Sequence, residues 1–421
     1  MDNAPRRTIV RGMEHRVIIA GGGLGGMTLA LALASAGIAS ILVDPAPATA
    51  SGNASGRAPF DGRSYALSAA SVNLLRALSL WEGLAETAQP ILQIKVSDGR
   101  AGEGPSPFVM EFDHAELEEG PMGHMVEDRH LRPALEAALA RMPLCSRVED
   151  SVTGQRALGD GIEVGLAGGA RLRAALLVGS DGRQSPTGRR AGITRLVRDY
   201  GQGALVTSVE HARPHEGIAH QFFTPEGPLA ILPLRGNRSS IVWTERAARA
   251  ETLMAADDAQ YLAALEPRFG DFLGGISLAG ARFGYPLGMS LARSFVAPRV
   301  ALLGDAAHAV HPIAGQGLNA GLKDVAALAQ VLRDAARRGE DIGRADVLDR
   351  YQQWRRFDAT ALALATDGFN RLFSNDNAFL RLGRDLGMGI VGAVPALRRG
   401  AMREAAGLTG ARPLLLRGLP L

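Results

Sequence analysis

"HRVIIAGGGLGGMTLALALASAGIASILVDP", residues 15–45, carries the strongest structural signal in the chain. Val17–Ala20 reads as a short buried strand. A glycine cluster follows, then an apolar stretch of helix length, then a second apolar run ending at Asp44. Gly21, Gly23 and Gly26 satisfy G-x-G-x-x-G in a strand–turn–helix context. The first glycine permits the tight turn, the second lets the backbone approach a pyrophosphate, and the third allows the helix to pack closely on the strand. Free N–H groups at the helix N-terminus complete an anion cradle. Asp44, 18 residues after Gly26, stands where a carboxylate can hold both ribose hydroxyls of an adenosine. That acid argues against a 2′-phosphate, which leaves NAD or FAD. From Val17 to Val43 there is no charge, long enough to suggest a bilayer span. Five glycines in six residues and the aspartate directly after the run favour the nucleotide unit instead.

Outward from this unit, "GDAAHAVHPIAGQGLN" (304–319) follows another apolar strand-like run, Val300 to Leu303. Asp305 sits just past its end, where open α/β sheets place ligand contacts. "AGQGLNAGLKDVAALAQVL" then turns into a helix. Gly315 and Gly317 allow the backbone to lie against a flat ring, and the positive end of the helix dipole counterbalances negative charge there, as on a reduced flavin. Asp305, His308 and His311 could suggest a metal. The two histidines are three apart beside Pro312 with no further ligand nearby, so no metal is expected and His308 should hydrogen-bond inside the turn. A third strand end, "LRAALLVGSDGRQSP" (172–186), carries Asp181-Gly182 before a polar turn.

The bulk composition agrees with a globular protein. At 421 residues, 46% apolar and 21% charged, with a net charge of +3, the chain has room for two domains. Lys95 and Lys323 are the only lysines. No zinc finger, basic helix or RNA-binding motif appears, so no nucleic acid partner is expected. Cys145 is the single cysteine, which fits a reducing compartment. Residues 1–15 lack the apolar core of a signal peptide, and a cytoplasmic location is expected.

Together these motifs resemble the flavin-dependent aromatic hydroxylases built like para-hydroxybenzoate hydroxylase, and within them the ubiquinone-biosynthesis hydroxylases. The resemblance runs from about residue 15 to the C-terminus. It includes "DGRSYALSAASVNLLRALSLWEGL" (61–84), "GPLAILPLRGNRSSIVWT" (227–244), "YPLGMSLA" (285–292) and "MREAAGLTGARPLLLRG" (402–418). It implies that Gly21, Gly23, Leu24, Gly25 and Gly26 cradle the FAD pyrophosphate and that Asp44 holds the adenosine ribose. Arg63 and Arg129 would be flavin contacts. Asp181 and Gly182 would serve FAD and NAD(P)H, and Gly304 and Asp305 the ribityl chain. Gly315, Gln316, Gly317, Leu318 and Asn319 would lie along the isoalloxazine edge, with the Pro312 carbonyl beside its reacting face. Two positions depart from the pattern. Gly188 stands where an arginine usually follows the D-G aspartate by seven residues, and Asp128, in "VEDRHLRPAL", stands where asparagine or arginine is usual.

The implied architecture is α/β: a doubly wound, Rossmann-type FAD-binding domain interwoven with an antiparallel-sheet substrate domain, followed by C-terminal helices. Residues 1–90, 126–190 and 286–370 would form the first, 91–125 and 191–285 the second, and 371–421 a C-terminal helical segment. Short alternating runs such as "SSIVWT" support strands in the second. The implied reaction is hydroxylation of a polyprenyl phenol by O2 through a flavin C4a-hydroperoxide, with NAD(P)H or another donor reducing the flavin. The protein would exclude water and hold the ring in reach. Phe222, Phe223, Trp243 and Tyr285 are candidates for the cavity wall, and His220 and Gln221 for polar groups near it. A hydroxylase of small soluble phenols, or a non-catalytic flavin-binding scaffold in a quinone-biosynthesis complex, are the alternatives. Residues 379–421 carry seven arginines against Asp385 and Glu404. They read either as a peripheral contact with the inner face of the cytoplasmic membrane or as a segment packed on the flavin domain or a sister subunit.

Overall fold

A computed structural model describes residues 17–46, 60–100, 104–310, 315–373 and 394–421. Two large sheets dominate it. The first has six strands in the order Val296–Ala297, Val300–Leu302, Leu176–Gly179, Val17–Ala20, Ser40–Val43 and Cys145–Val148. Val17 registers with Leu176 on one side and Ser40 on the other, and both pairings are parallel. "VIIA" and "SILV" are buried along their whole length, as expected for inner strands of a parallel sheet covered on both faces. The helices Leu24–Ser35, Asp128–Ala140 and Gln316–Arg337 and the small sheet Val152–Leu158, Gly161–Leu166, Arg171–Ala174 share one core with it.

The glycine turn is shaped by contact. Gly21 has φ +108°, and a Cβ there would lie 2.2 Å from the Ser180 carbonyl oxygen. A Cβ on Gly26 would lie 1.9 Å from the Gly21 carbonyl oxygen. The helix Leu24–Ser35 can approach the strand this closely only because neither position carries a side chain.

The second sheet runs His308–Ala309, Phe283–Ala292, Arg195–His211, Arg238–Arg246, Gly227–Leu234, Ile218–Thr224, Gln93–Arg100, Gly104–Asp113, with Ile276–Leu278 beside the end of Arg195–His211. It is antiparallel except where Ile218–Thr224 meets Gln93–Arg100 in parallel. That pair joins two segments distant in sequence, so no hairpin dictates its direction. Phe283–Ala292 runs through residue 286 and belongs whole to this sheet. We place the return to the nucleotide-binding unit after Ala292. One face of this sheet packs under the helices Ala247–Ala255 and Asp258–Phe269 through Leu205, Leu229, Ile241 and Trp243. The other meets the nucleotide-binding unit, where Ser208 Oγ donates to the Gly62 carbonyl at 3.2 Å.

The C-terminal residues bind the two units together. Met402 packs with Leu117 and Met122, while Leu415 and Leu416 enter the nucleotide-side core. Arg398 pairs with Glu116 at 2.8 Å and Arg403 with Glu119 at 2.6 Å. The Trp354 indole N–H donates to the Ala411 carbonyl at 2.9 Å. Residues 394–421 therefore pack on their own chain. Arg381 and Arg384 lie outside the described residues. No helix among the described residues is long and apolar enough to cross a membrane.

Candidate active site

Three strand ends converge. The Gly21–Gly26 turn touches Ser180 and Asp181, and Leu303 lies against Gly25. Asp44 accepts the Gly22 N–H and, through Oδ1, the Ala46 N–H at 2.8 Å, which ties the second strand's end to the turn. The helix Leu24–Ser35 starts at Gly23 with no side-chain cap and no acid in its first turn. A Cβ at Gly23 would meet nothing within 4 Å. Open space over uncapped N–H groups is what an FAD pyrophosphate requires, so the residues present fit the group. Leu24 is buried, which leaves its backbone to face a ligand.

The other predicted contacts divide into free and engaged groups. Asp305 is exposed, and its carboxylate, which attracts Arg195 electrostatically, can accept hydroxyls of a ribityl chain. Gly182 and Gly317 face open space. Asp181, by contrast, is bonded within its own loop: Oδ1 accepts the Ser185 hydroxyl at 2.6 Å and Oδ2 the Thr187 N–H at 2.8 Å. Asn319 is equally engaged. Its Oδ1 accepts the Ser68 N–H and the Ser71 hydroxyl, while Nδ2 donates to the Ala66 and Gly315 carbonyls. It anchors the strand Ser64–Ser68 to the helix that Gly315 caps. Leu318 packs against the nucleotide-side core. Pro312 and His311 lie outside the described residues.

The arginines are held by carboxylates. Arg63, half exposed, pairs with Asp61 at 2.7 Å and Asp128 at 3.5 Å, and its guanidinium lies 5.9 Å over the Phe283 ring. The hydrogen bond to Asp61 raises its pKa. Arg129 is bonded to buried Glu127 and stacks on Phe60, which Arg238 covers from the larger sheet. The two departures have local reasons. Asp128 accepts the Tyr65 hydroxyl at 2.8 Å and a bidentate Arg132, a role that an asparagine could fill only in part. At Gly188 a Cβ would come within 3.1 Å of Leu302 and 3.2 Å of Ser185, so a long side chain has little room there. Arg190, two residues on, instead bonds Gln155.

Two groups were missed by sequence reading. Asp324, fully buried, accepts the Gly304 N–H at 2.9 Å, His308 Nε2 at 2.6 Å and Arg355 Nε at 2.8 Å. His308 thus binds a carboxylate of the next helix. The available signal was a charge whose i±3 and i±4 neighbours, Ala320, Gly321, Ala327 and Leu328, are all apolar or small. Arg195 grips the same turn from the larger sheet, and nothing local in its sequence marks it.

The sheet face divides the proposed cavity residues. Trp243 and Phe222 lie on the far side, against Tyr261 and Phe272. On the side facing the nucleotide-binding unit, Phe283, Val206, Val242, Ala230 and Gln221 stand in register as one row across five strands. Tyr285 is on this face, 41% exposed, whereas Phe223 is buried. His220 is on the far side, 4.5 Å from Phe272, and burial holds its pKa down to about 4. It stays neutral above that value. His220→Phe is expected to change kcat/KM by less than about tenfold, short of the hundredfold or more that a lost general base costs. The pH–rate profile between about pH 5 and 8 should keep its shape. A hundredfold loss with a displaced limb would make His220 the base.

The chain has clear likenesses. The family described as an FAD binding domain matches residues 14–366. Ubiquinone hydroxylase UbiL of Rhodospirillum rubrum is 44% identical over 412 residues, covering 96% of this chain and 93% of that protein. The 3-demethoxyubiquinol 3-hydroxylase of Escherichia coli is 36% identical over 399 residues, covering 93% and 98%. Among solved structures, p-nitrophenol 4-monooxygenase PnpA of Pseudomonas putida superposes with a TM-score of 0.76 at 20% identity, covering 95% of this chain and 99% of that one.

Proposed function

The chain belongs to the FAD-dependent hydroxylases of ubiquinone biosynthesis, and we propose that it hydroxylates the ring of a polyprenyl phenol with O2, NAD(P)H serving as electron donor. FAD, when bound, supplies the oxygen-activating and redox chemistry. The chain's residues bind and aim. Gly21 to Gly26 and Asp44 would hold the dinucleotide end, Asp305 the ribityl chain, and the Gly315–Gly317 backbone the ring edge.

The observation that carries the substrate class is the row Phe283, Val206, Val242, Ala230, Gln221. It contains no charge. A small phenol bearing a carboxylate would need a free cation here, because an unpaired buried charge is costly, and the guanidinium over Phe283, that of Arg63, is already paired with Asp61 and Asp128. A prenylated ring needs apolar wall and little else. In the test, FAD-loaded protein receives a short-chain prenylated phenol in detergent, and in parallel a soluble phenol. The expected product is the prenylated ring one oxygen atom heavier by mass spectrometry, with an under-hydroxylated precursor accumulating in a deletion strain. Turnover of the soluble phenol alone, with quinone levels unchanged in the deletion strain, would overturn the reading.

A lipid-soluble substrate also supports contact with a bilayer or with sister subunits. Within the C-terminal segment, we assign that contact to Arg399, Arg412 and Arg417, which have no carboxylate partner among the described residues. Arg398 and Arg403 are paired internally.

A further inference from the structure

The turn carrying Asp305 is bonded to the larger sheet as firmly as to its own. Leu291 and Ser290 bridge His308 and Ala309, and the Ala292 N–H donates to the Ala307 carbonyl at 2.8 Å. Arg195, the first residue of its strand, completes the joint. Nη1 donates to the Ala306 carbonyl and Nη2 to the Asp305 carbonyl at 3.1 Å. Nε and Nη2 donate to the hydroxyl and carbonyl of Ser290 at 2.7 and 3.3 Å. Ser290 lies on Phe283–Ala292, the strand whose other end bears Phe283 and Tyr285 on the substrate-facing side. One side chain therefore links the turn beside the flavin to the strand beside the substrate.

We propose that Arg195 is a positioning residue that sets the distance between the flavin-binding turn and the substrate row, and so determines how much of each turnover ends in hydroxylation. This rests on the function proposed above. In coupled turnover one oxygen atom enters a ring C–H bond and the other leaves as water, using two electrons and a proton from NAD(P)H and one proton from solvent. In uncoupled turnover the same electrons and protons reduce O2 to hydrogen peroxide, and the ring is unchanged. Only the first requires the ring carbon in register, where a misplacement of about 1 Å costs about a hundredfold. The planar fork of arginine can span two successive carbonyls and Ser290 together, and a lysine ammonium cannot. Burial also lowers the Arg195 pKa, consistent with donors taken out of water and committed to these acceptors.

The test compares wild type with Arg195→Lys, both FAD-loaded, using a short-chain prenylated phenol and NAD(P)H. Hydroxylated product per donor oxidised should fall by at least about threefold, peroxide making up the difference, while KM moves less than about twofold. The visible circular dichroism of bound FAD should also change. A folded Arg195→Lys with wild-type coupling and dichroism overturns the proposal. If that variant does not fold, Ser290→Ala, which removes one anchor and keeps the charge, must show the same loss; unchanged coupling there overturns it equally. Should wild type hydroxylate no prenylated phenol, the substrate reading fails. The dichroism and FAD release rate then decide for Arg195, and no change in either rejects it.

Discussion

Asp324→Ala is expected to destabilise the protein by about 3–5 kcal/mol, the range for breaking a buried ion pair by removing one partner. The carboxylate is fully buried, and Arg355, only 4% exposed, would be left without the partner that its Nε donates to. The Gly304 N–H and His308 Nε2 lose their acceptor at the same time, so the turn that carries Asp305 should loosen and FAD should be released more readily. Asp324→Asn keeps the volume but turns one N–H pair toward groups that donate, and should recover only part of the loss. Urea unfolding of the three proteins measures this; a loss below about 1 kcal/mol for the alanine variant would show that the network is not a structural support. The same carboxylate predicts acid sensitivity. Burial opposes its ionisation, but His308 and Arg355 outweigh burial and hold its pKa below the ordinary 3.8. A depressed folded-state pKa contributes stability that is fully present above the unfolded value and is lost as pH falls through the folded one. The contribution should therefore be constant at neutral pH and disappear only below about pH 4, and it should be missing from the Asp324→Ala acid-unfolding curve.

Gly26→Ala should be more damaging to cofactor binding than to any other property. Its Cβ would sit 1.9 Å from the Gly21 carbonyl oxygen, a backbone atom that no rotamer change can move aside. The helix must shift, at a cost of at least about 1–3 kcal/mol for overpacking, and the N–H cradle shifts with it. FAD affinity should drop by at least about a hundredfold, since the phosphate contacts depend on that geometry. Gly23→Ala separates the two effects. Its φ of −67° suits any residue, and its Cβ would meet nothing. The apoprotein should keep its stability to within about 1 kcal/mol, yet FAD affinity should still fall, because the methyl group occupies the space where the phosphates approach. Fluorescence titration of apoprotein with FAD, beside thermal unfolding, reads both. Wild-type affinity in Gly23→Ala would place the pyrophosphate elsewhere.

The nucleotide-binding unit is legible in the chain alone. Its evidence is local: between Val17 and Asp44 the strands, turn and helix are set by neighbours within a few residues, and Gly21 and Gly26 answer close contacts made in the turn itself or on the adjoining strand. Which partners the polar side chains take depends on packing between distant segments. Asp181 and Asn319 stand where the family resemblance puts ligand contacts, and their side chains are also bonded to Ser185 and Thr187 in one case and to Ser68, Ser71 and Ala66 in the other. Phe222 and Phe223 stood together as candidates for the cavity wall; the strand puts them on opposite faces, and which face meets the nucleotide-binding unit follows from how the sheet docks, as Ser208 on Gly62 shows. Of the tail's arginines, Arg398 and Arg403 are paired with Glu116 and Glu119, 282 and 284 residues earlier. Arg195 reaches its carbonyls across 110 and 111 residues. Backbone geometry is dictated by steric limits and hydrogen bonds between near neighbours. The partner of a side chain is chosen by whatever distant segment packing brings within 3 Å, and no local pattern in the chain encodes that choice.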